Sequence, residues 1–433
     1  MTLRRAKAMG RAWQGRTRVR VLGSREDTGA TEDAVHAPHS AVGRHKASFG
    51  EGLFKLTYLD VNASDLFAHE EIERARRYHR PLYRALGVDL LLGLGVLLAI
   101  VFGPPGDWLS GATGGPWWAR TLELVALVSG AGKLVRLPLS AWRGWLYERR
   151  WGFSTQTLRG WLWDRLKGLF VGVAVSGLGL VALVGSVRAW PEWWPAAAAP
   201  GAAALALVLS LLAPIVFERL FNRFWPLPDA GLARELRDLS VRAGVPVRTL
   251  LVTDASRRTR KHNAYVSGIG PTRRLVVFDT LLEDAPRGEL RGVVAHELGH
   301  RRYRHVAAGT VLAMAGAAAA VLVLWGLLSW GGLVSAADAS GPGAPRLVPL
   351  VLLVVWLLEL VALPFETSIS RRWERAADRF ALELTGDGTA IEDMHRRLAL
   401  ANLADLDPPQ LLYRLLFTHP TPPERIAAAR MGT

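Results

Sequence analysis

Three stretches of this 433-residue chain, 168–187, 193–217 and 306–337, contain no Asp, Glu, Lys or Arg. Each is at least as long as the ~20 residues an α-helix needs to cross the hydrocarbon of a bilayer. Inside lipid a backbone must satisfy its own hydrogen bonds, so apolar runs of this length are committed to helix. Three weaker runs join them: 90–103 beside Asp89, 122–142 with Lys133 and Arg136, and 347–363 interrupted by Glu359. The reading is a mostly α, polytopic membrane protein with about six spans.

The formal net charge is +15, and where the charge falls decides what it means. The connection at 143–167 holds Arg143, Arg149, Arg150, Arg159, Arg165 and Lys167, whereas the opposite connections hold little beyond Arg120, Arg188 and Arg346. That asymmetry is the positive-inside pattern, and Trp108, Trp117, Trp118, Trp190, Trp193, Trp194 and Trp330 form the aromatic belt at the outer ends. It puts both termini and the segment between the fourth and fifth spans in the cytoplasm, with the chain in the cell inner (plasma) membrane. The basic balance is a topology signal, so nucleic acid is set aside as a partner and the lipid bilayer is expected. With no cysteine, disulfides, thiolate metal sites and cysteine nucleophiles are excluded.

The chain divides into five parts. A basic tail, 1–58, has ten Lys/Arg against four Asp/Glu in its first fifty residues and reads as disordered. Residues 59–228 form a membrane region with four spans. A module at 229–305 reads helix (231–243), strand (249–253), strand (263–268), strand (275–278), helix (287–305). Residues 306–368 form a transmembrane hairpin, and 369–433 hold further helices, the first at about 370–385. Between residue 287 and the fifth span there is no helix breaker.

His296-Glu297-Leu298-Gly299-His300 is the strongest local motif. On a helix two His four apart share a face and can reach one zinc ion, while Glu297 is placed to take a proton from a water that zinc has acidified. Catalytic zinc needs a third protein ligand, and Glu374 is the candidate; Asp378, four residues on, would accept a hydrogen bond from a ligand imidazole. His300 lies six residues, about 9 Å of helix, before the fifth span, and Glu374 follows the sixth. An antiparallel hairpin makes the inner ends of those spans neighbours, which brings the two motifs to one point near the membrane surface. On a continuous helix His305 falls about 140° around from His300 and is read as structural.

Further motifs follow in order: Leu137-Pro138-Leu139-Ser140 with Glu148, Ala213-Pro214, Phe221-Asn222-Arg223-Phe224, Asn263-Ala264-Tyr265, Phe278-Asp279-Thr280-Leu281-Leu282, and His419-Pro420 with Glu424-Arg425. From residue 68 to 430 the chain resembles the CAAX prenyl protease 1 family, the membrane-spanning gluzincins, and its Ala-, Arg- and Trp-rich composition suits a bacterial member. The resemblance implies a zincin-like α+β catalytic module and one zinc per chain on His296, His300 and Glu374, with Glu297 as general base. It also implies a water-filled chamber, Asn263 in the substrate cleft, and His419 near the metal as an oxyanion stabiliser. The family often has a seventh span, and a histidine two places before the cleft asparagine where Lys261 stands here.

Asn263, Ala264 and Tyr265 read as an edge strand able to take an extended substrate by β-augmentation. Arg425 reads as an ion-pair partner, Lys133 and Arg136 as snorkelling to the interface, and Glu359 as facing an aqueous interior. The function expected is a zinc-dependent membrane endopeptidase acting on peptides or membrane proteins, in processing or quality control. The alternative is a non-catalytic membrane scaffold or transporter on the same fold.

Overall fold

The computed structural model describes residues 61–268 and 273–431, so the basic tail lies outside the described residues. The first four long apolar helices are α1 (His69–Phe102), α2 (Trp117–Arg150), α3 (Leu158–Ala189) and α4 (Trp194–Phe221). Their starts are marked by local chemistry. The Glu71 carboxylate accepts the Ala68 amide at 2.9 Å ahead of α1, and the Thr157 hydroxyl accepts the Gly160 amide at 3.1 Å at the start of α3. Wide i→i+5 turns interrupt α2 at Trp142–Tyr147 and α4 at Ala213–Phe217, the latter containing Pro214.

Next comes the sheet-bearing part. β1 (Phe224–Pro226) leads into α5 (Ala230–Arg242), whose first amides at Gly231 and Leu232 are capped by Asp229. Three strands follow, β2 (Thr249–Thr253), β3 (Ala264–Ser267) and β4 (Arg274–Phe278). The spatial order is β1-β2-β4-β3. β2 runs parallel to β4 over all five residues of each, while β3 pairs antiparallel with β4 and forms the edge. Leu236, Val252, Leu275 and Val277 meet Leu290, Val294 and Leu298 of α6 (Arg287–Arg302) in one buried cluster, so the helix carrying the His-Glu-x-x-His motif is docked on the sheet.

Among the described residues, α7 (His305–Leu328) and α8 (Val348–Thr385) complete a set of six helices long and apolar enough to cross a membrane. α7 packs closely on α4, where Ser210 and Thr310 hydroxyls share a 2.7 Å hydrogen bond between small-residue faces. α9 (Gly388–Ala401), α10 (Gln410–Leu416) and α11 (Pro422–Met431) end the chain.

Two junctions differ from the sequence reading, in opposite senses. Where helix was expected to run unbroken to the fifth span, it stops at Arg302, and Arg304 takes a left-handed conformation (φ 57°) before α7 starts at His305. Where a separate helix was expected at about 370–385, α8 runs 38 residues without a break, through Pro364, from the apolar segment to Thr385. A membrane helix tolerates proline because its neighbours re-satisfy the freed carbonyl.

Arg136 does not snorkel. It forms a two-pronged pair with Asp89 of α1, at 2.8 and 2.5 Å, which ties the first two spans together. A charge within or near a membrane helix is held in this way, by a partner charge on its neighbour.

A candidate metal centre between two helices

α6 and α8 cross where Gly299 meets Ala377. A Cβ on Gly299 would stand 3.0 Å from the Ala377 Cα and 3.2 Å from its carbonyl oxygen, so only glycine allows this approach. The crossing sets one turn of α6, with His296 and His300, against one turn of α8, with Glu374 and Asp378. Both imidazoles turn Nε2 toward the Glu374 carboxylate, at 3.3 Å for His296 and 3.2 Å for His300, and the two Nε2 atoms are 3.1 Å apart. One donor atom from each of the three residues lies within 4.8 Å of the others.

The donor set fits a catalytic zinc. Two imidazoles and a carboxylate, with no thiolate in the chain, form the ligand type of an open hydrolytic zinc site. Glu374 Oε2 is buried without a hydrogen-bond partner, which in a low-dielectric setting is costly unless a cation is to meet it. Burial works against a charged His296 imidazole, but Asp378 and Glu374 outweigh it and raise its pKa to about 9. Cation binding there must therefore displace a proton.

The second ring nitrogens are also held. His296 Nδ1 stands 2.7 Å from Asp378 Oδ1. Asp378 in turn takes the Arg425 guanidinium in a fork, Nε at 2.8 Å and the terminal nitrogen at 2.5 Å, and that nitrogen is also 3.6 Å from Glu374. His395 of α9 lies 3.5 Å from Asp378, and burial drives its pKa down to about 3, so it stays neutral. His395 carries no motif in the sequence; only the packing of α9 over α6 places it here.

Glu297 lies beside the triad, near the Val266 backbone of β3. Burial raises its carboxyl above the ordinary range, against the pull of His296 and His300. Arg301, one turn further on, donates its Nε to the Val266 carbonyl at 3.1 Å. α6 thus holds the free edge of β3 through the Val266 carbonyl. Strand alternation turns Ala264 to that same edge, while Tyr265 pairs with Val276 of β4.

A cavity of about 900 Å³ opens over this centre, lined by Asn263, His296, Glu297, His395, His419 and Arg425 among others. Asn263 is exposed there, and its Oδ1 accepts the Ala264 amide at 2.9 Å. Ala264 and Tyr265 are not in the lining; the Ala264 side chain is buried, and the Tyr265 hydroxyl meets Glu218 at 3.3 Å. His419 reaches in from the C-terminal segment, its Nε2 3.4 Å from Glu374 Oε1 and its side chain more than half exposed. Lys261 and His262 also line the cavity; Lys261 is bound at 3.0 Å to both Glu148 and the Tyr78 hydroxyl, and His262 Nε2 stands 3.0 Å from Asp284.

Comparisons with known proteins bear on the family and the activity. The family model of peptidase family M48 matches residues 226–432, and that of the CAAX prenyl protease N-terminal region, described as five membrane helices, matches 58–223. Among the described residues, four such helices fall in the latter stretch. The chain is 28% identical over 312 residues to "Uncharacterized metalloprotease YhfN" of Bacillus subtilis, covering 72% of this chain and 73% of that protein. It is also 28% identical over 320 residues to a CAAX prenyl protease 1 homolog of Arabidopsis thaliana, covering 71% and 73%. In fold it is similar to the crystal structure of S. mikatae Ste24p, with a TM-score of 0.74 at 23% identity over 83% of this chain and 89% of that one. These relatives favour a peptidase over the scaffold alternative. The chain belongs to peptidase family M48 and is a multi-pass membrane metalloprotease of the CAAX prenyl protease 1 type.

Proposed function

We propose that this metalloprotease is a zinc endopeptidase that cuts peptide bonds close to the cytoplasmic face of the membrane, with one zinc on His296, His300 and Glu374. The observation that carries the reading is the convergence of those three donor sets on one point, with Glu297 beside them. Zinc, when bound, supplies Lewis-acid activation of water and of the scissile carbonyl. Glu297 takes the proton of the attacking water and returns it to the leaving amine, a transfer suited to a carboxyl that burial raises above the ordinary range.

An extended substrate lies along the free edge of β3, meeting the backbone of Ala264 in the Asn263-Ala264-Tyr265 segment, with the exposed Asn263 amide orienting it. His419, which lines the cavity with its Nε2 3.4 Å from Glu374 Oε1, donates to the developing oxyanion. Asp378 holds His296 in the tautomer that presents Nε2. Membrane proteins and their processed ends are the substrates such a placement favours, in processing or quality control.

Purified wild-type protein carries close to one zinc per chain and cleaves a quenched peptide. Removal of the metal with a chelator abolishes cleavage, and restoring zinc recovers it. Cleavage that persisted after complete metal removal would overturn the proposal.

A further inference from the structure

His305 was read from the sequence as a structural residue on the far side of a continuous helix, and the structure places it elsewhere. The left-handed turn at Arg304 ends α6 and starts α7 in a new direction. His305 thereby returns beneath the metal centre, with its Nδ1 3.0 Å from His300 Nδ1. Its ring is buried and lies flat on Trp373, centroids 5.1 Å apart with 8° between the planes, and stacks also on Tyr303 at 5.8 Å. Trp373 is the residue before Glu374, so one turn of α8 supplies both a candidate ligand and the surface that fixes His305.

We infer that His305 is a positioning residue for His300, accepting a hydrogen bond from His300 Nδ1–H and so holding the ring with Nε2 toward Glu374. The inference rests on the metal reading given above. A neutral imidazole that offers Nε2 as ligand must carry its proton on Nδ1, and that proton needs an acceptor. For His296 the acceptor is the Asp378 carboxylate; for His300 it is the neutral His305 Nδ1, whose own proton then sits on Nε2. A left-handed conformation is strained for a non-glycine residue. The backbone tolerates it at Arg304 where it sets His305 into both the hydrogen bond and the stack. The two candidate histidine ligands are thus oriented by different chemistries, a buried ion pair for one and a stacked imidazole for the other.

Two substitutions separate the hydrogen bond from the stack. His305→Asn keeps an acceptor near the Nδ1 position and loses the ring; His305→Phe keeps the ring on Trp373 and loses the acceptor. Zinc dissociation constants of the intact protein, measured in detergent by chelator competition, should rise about 10–100-fold for Phe. The Asn variant should stay within a few-fold of wild type, and the melting temperature of the metal-free protein reports packing separately. Wild-type zinc affinity in the Phe variant, or an Asn variant weakened as much as Phe, would overturn the inference. A wild-type protein that bound no zinc would instead remove the metal site itself.

Discussion

Asp378 Oδ1 lies 2.7 Å from His296 Nδ1 while the same carboxylate is forked by Arg425, so a helix near the C-terminus and the His-Glu-x-x-His helix meet on one side chain. Arg425 comes 47 positions after Asp378 and belongs to α11. The last helix is therefore part of the site's support. Its guanidinium and the Asp378 carboxylate are both largely buried, and each depends on the other for compensation of its charge.

Asp378→Ala tests that dependence. It leaves the Arg425 charge buried without its fork and frees the His296 ring. The loss expected is about 3–5 kcal/mol of stability for an unpaired buried charge, with a 10–100-fold weaker zinc affinity. Thermal melting with and without zinc, together with chelator competition, measures both. Wild-type values for both would show that the fork supports nothing.

Glu297→Gln keeps the size of the side chain and its hydrogen-bonding capacity but cannot take a proton. His296, His300 and Glu374 remain, so zinc content and melting temperature should stay close to wild type. Peptide turnover should fall by about 10²–10⁴-fold, as for loss of a positioned general base. Turnover at the wild-type rate would exclude Glu297 from proton transfer.

Glu374→Ala removes the one carboxylate of the donor set, which is also the group left with an orphaned buried oxygen. Zinc measured by emission spectrometry should drop from near one per chain to a small fraction, and cleavage should go with it. Stoichiometric zinc in this variant would assign the third ligand to another residue.

Asn263→Ala should behave differently, because Asn263 lines the cavity at the end of the edge strand and contacts no candidate ligand. Zinc content should be unchanged while kcat/KM falls about 10-fold or more, the scale of one lost substrate hydrogen bond with imperfect repositioning. A variant that lost zinc would place Asn263 in support of the metal instead.

The orientation proposed from the arginine asymmetry is tested with single cysteines in a chain that has none. Arg159 and Ser340 are both exposed, and the basic connection and the opposite end of the α7–α8 hairpin are their respective sites. Arg159→Cys should be labelled by an impermeant thiol reagent only after cells are opened, and Ser340→Cys in intact cells. The reverse pattern would invert the topology.

The sequence by itself determined the elements whose cause is local. Runs 168–187 and 306–337 have no charge to place in lipid, so helix was the one backbone solution open to them. The strand at 249–253 appears at those residues, and the four-residue spacing of His296 and His300 already fixed a shared helix face. Tertiary structure decided the junctions. Nothing in Tyr303-Arg304 signals a helix stop, yet a left-handed turn there sets His305 against His300 of α6 and Trp373 of α8, contacts that only the packed helices supply. Pro364 signals a stop, yet α8 runs through it to deliver Glu374 and Asp378, as a membrane helix can where its surroundings re-satisfy the backbone. Arg425 was legible as an ion-pair partner, but that its partner is Asp378 was beyond the sequence, as was any role for His395. Their roles come from partners 17 and 47 positions away from Asp378, brought in by packing that no local pattern encodes.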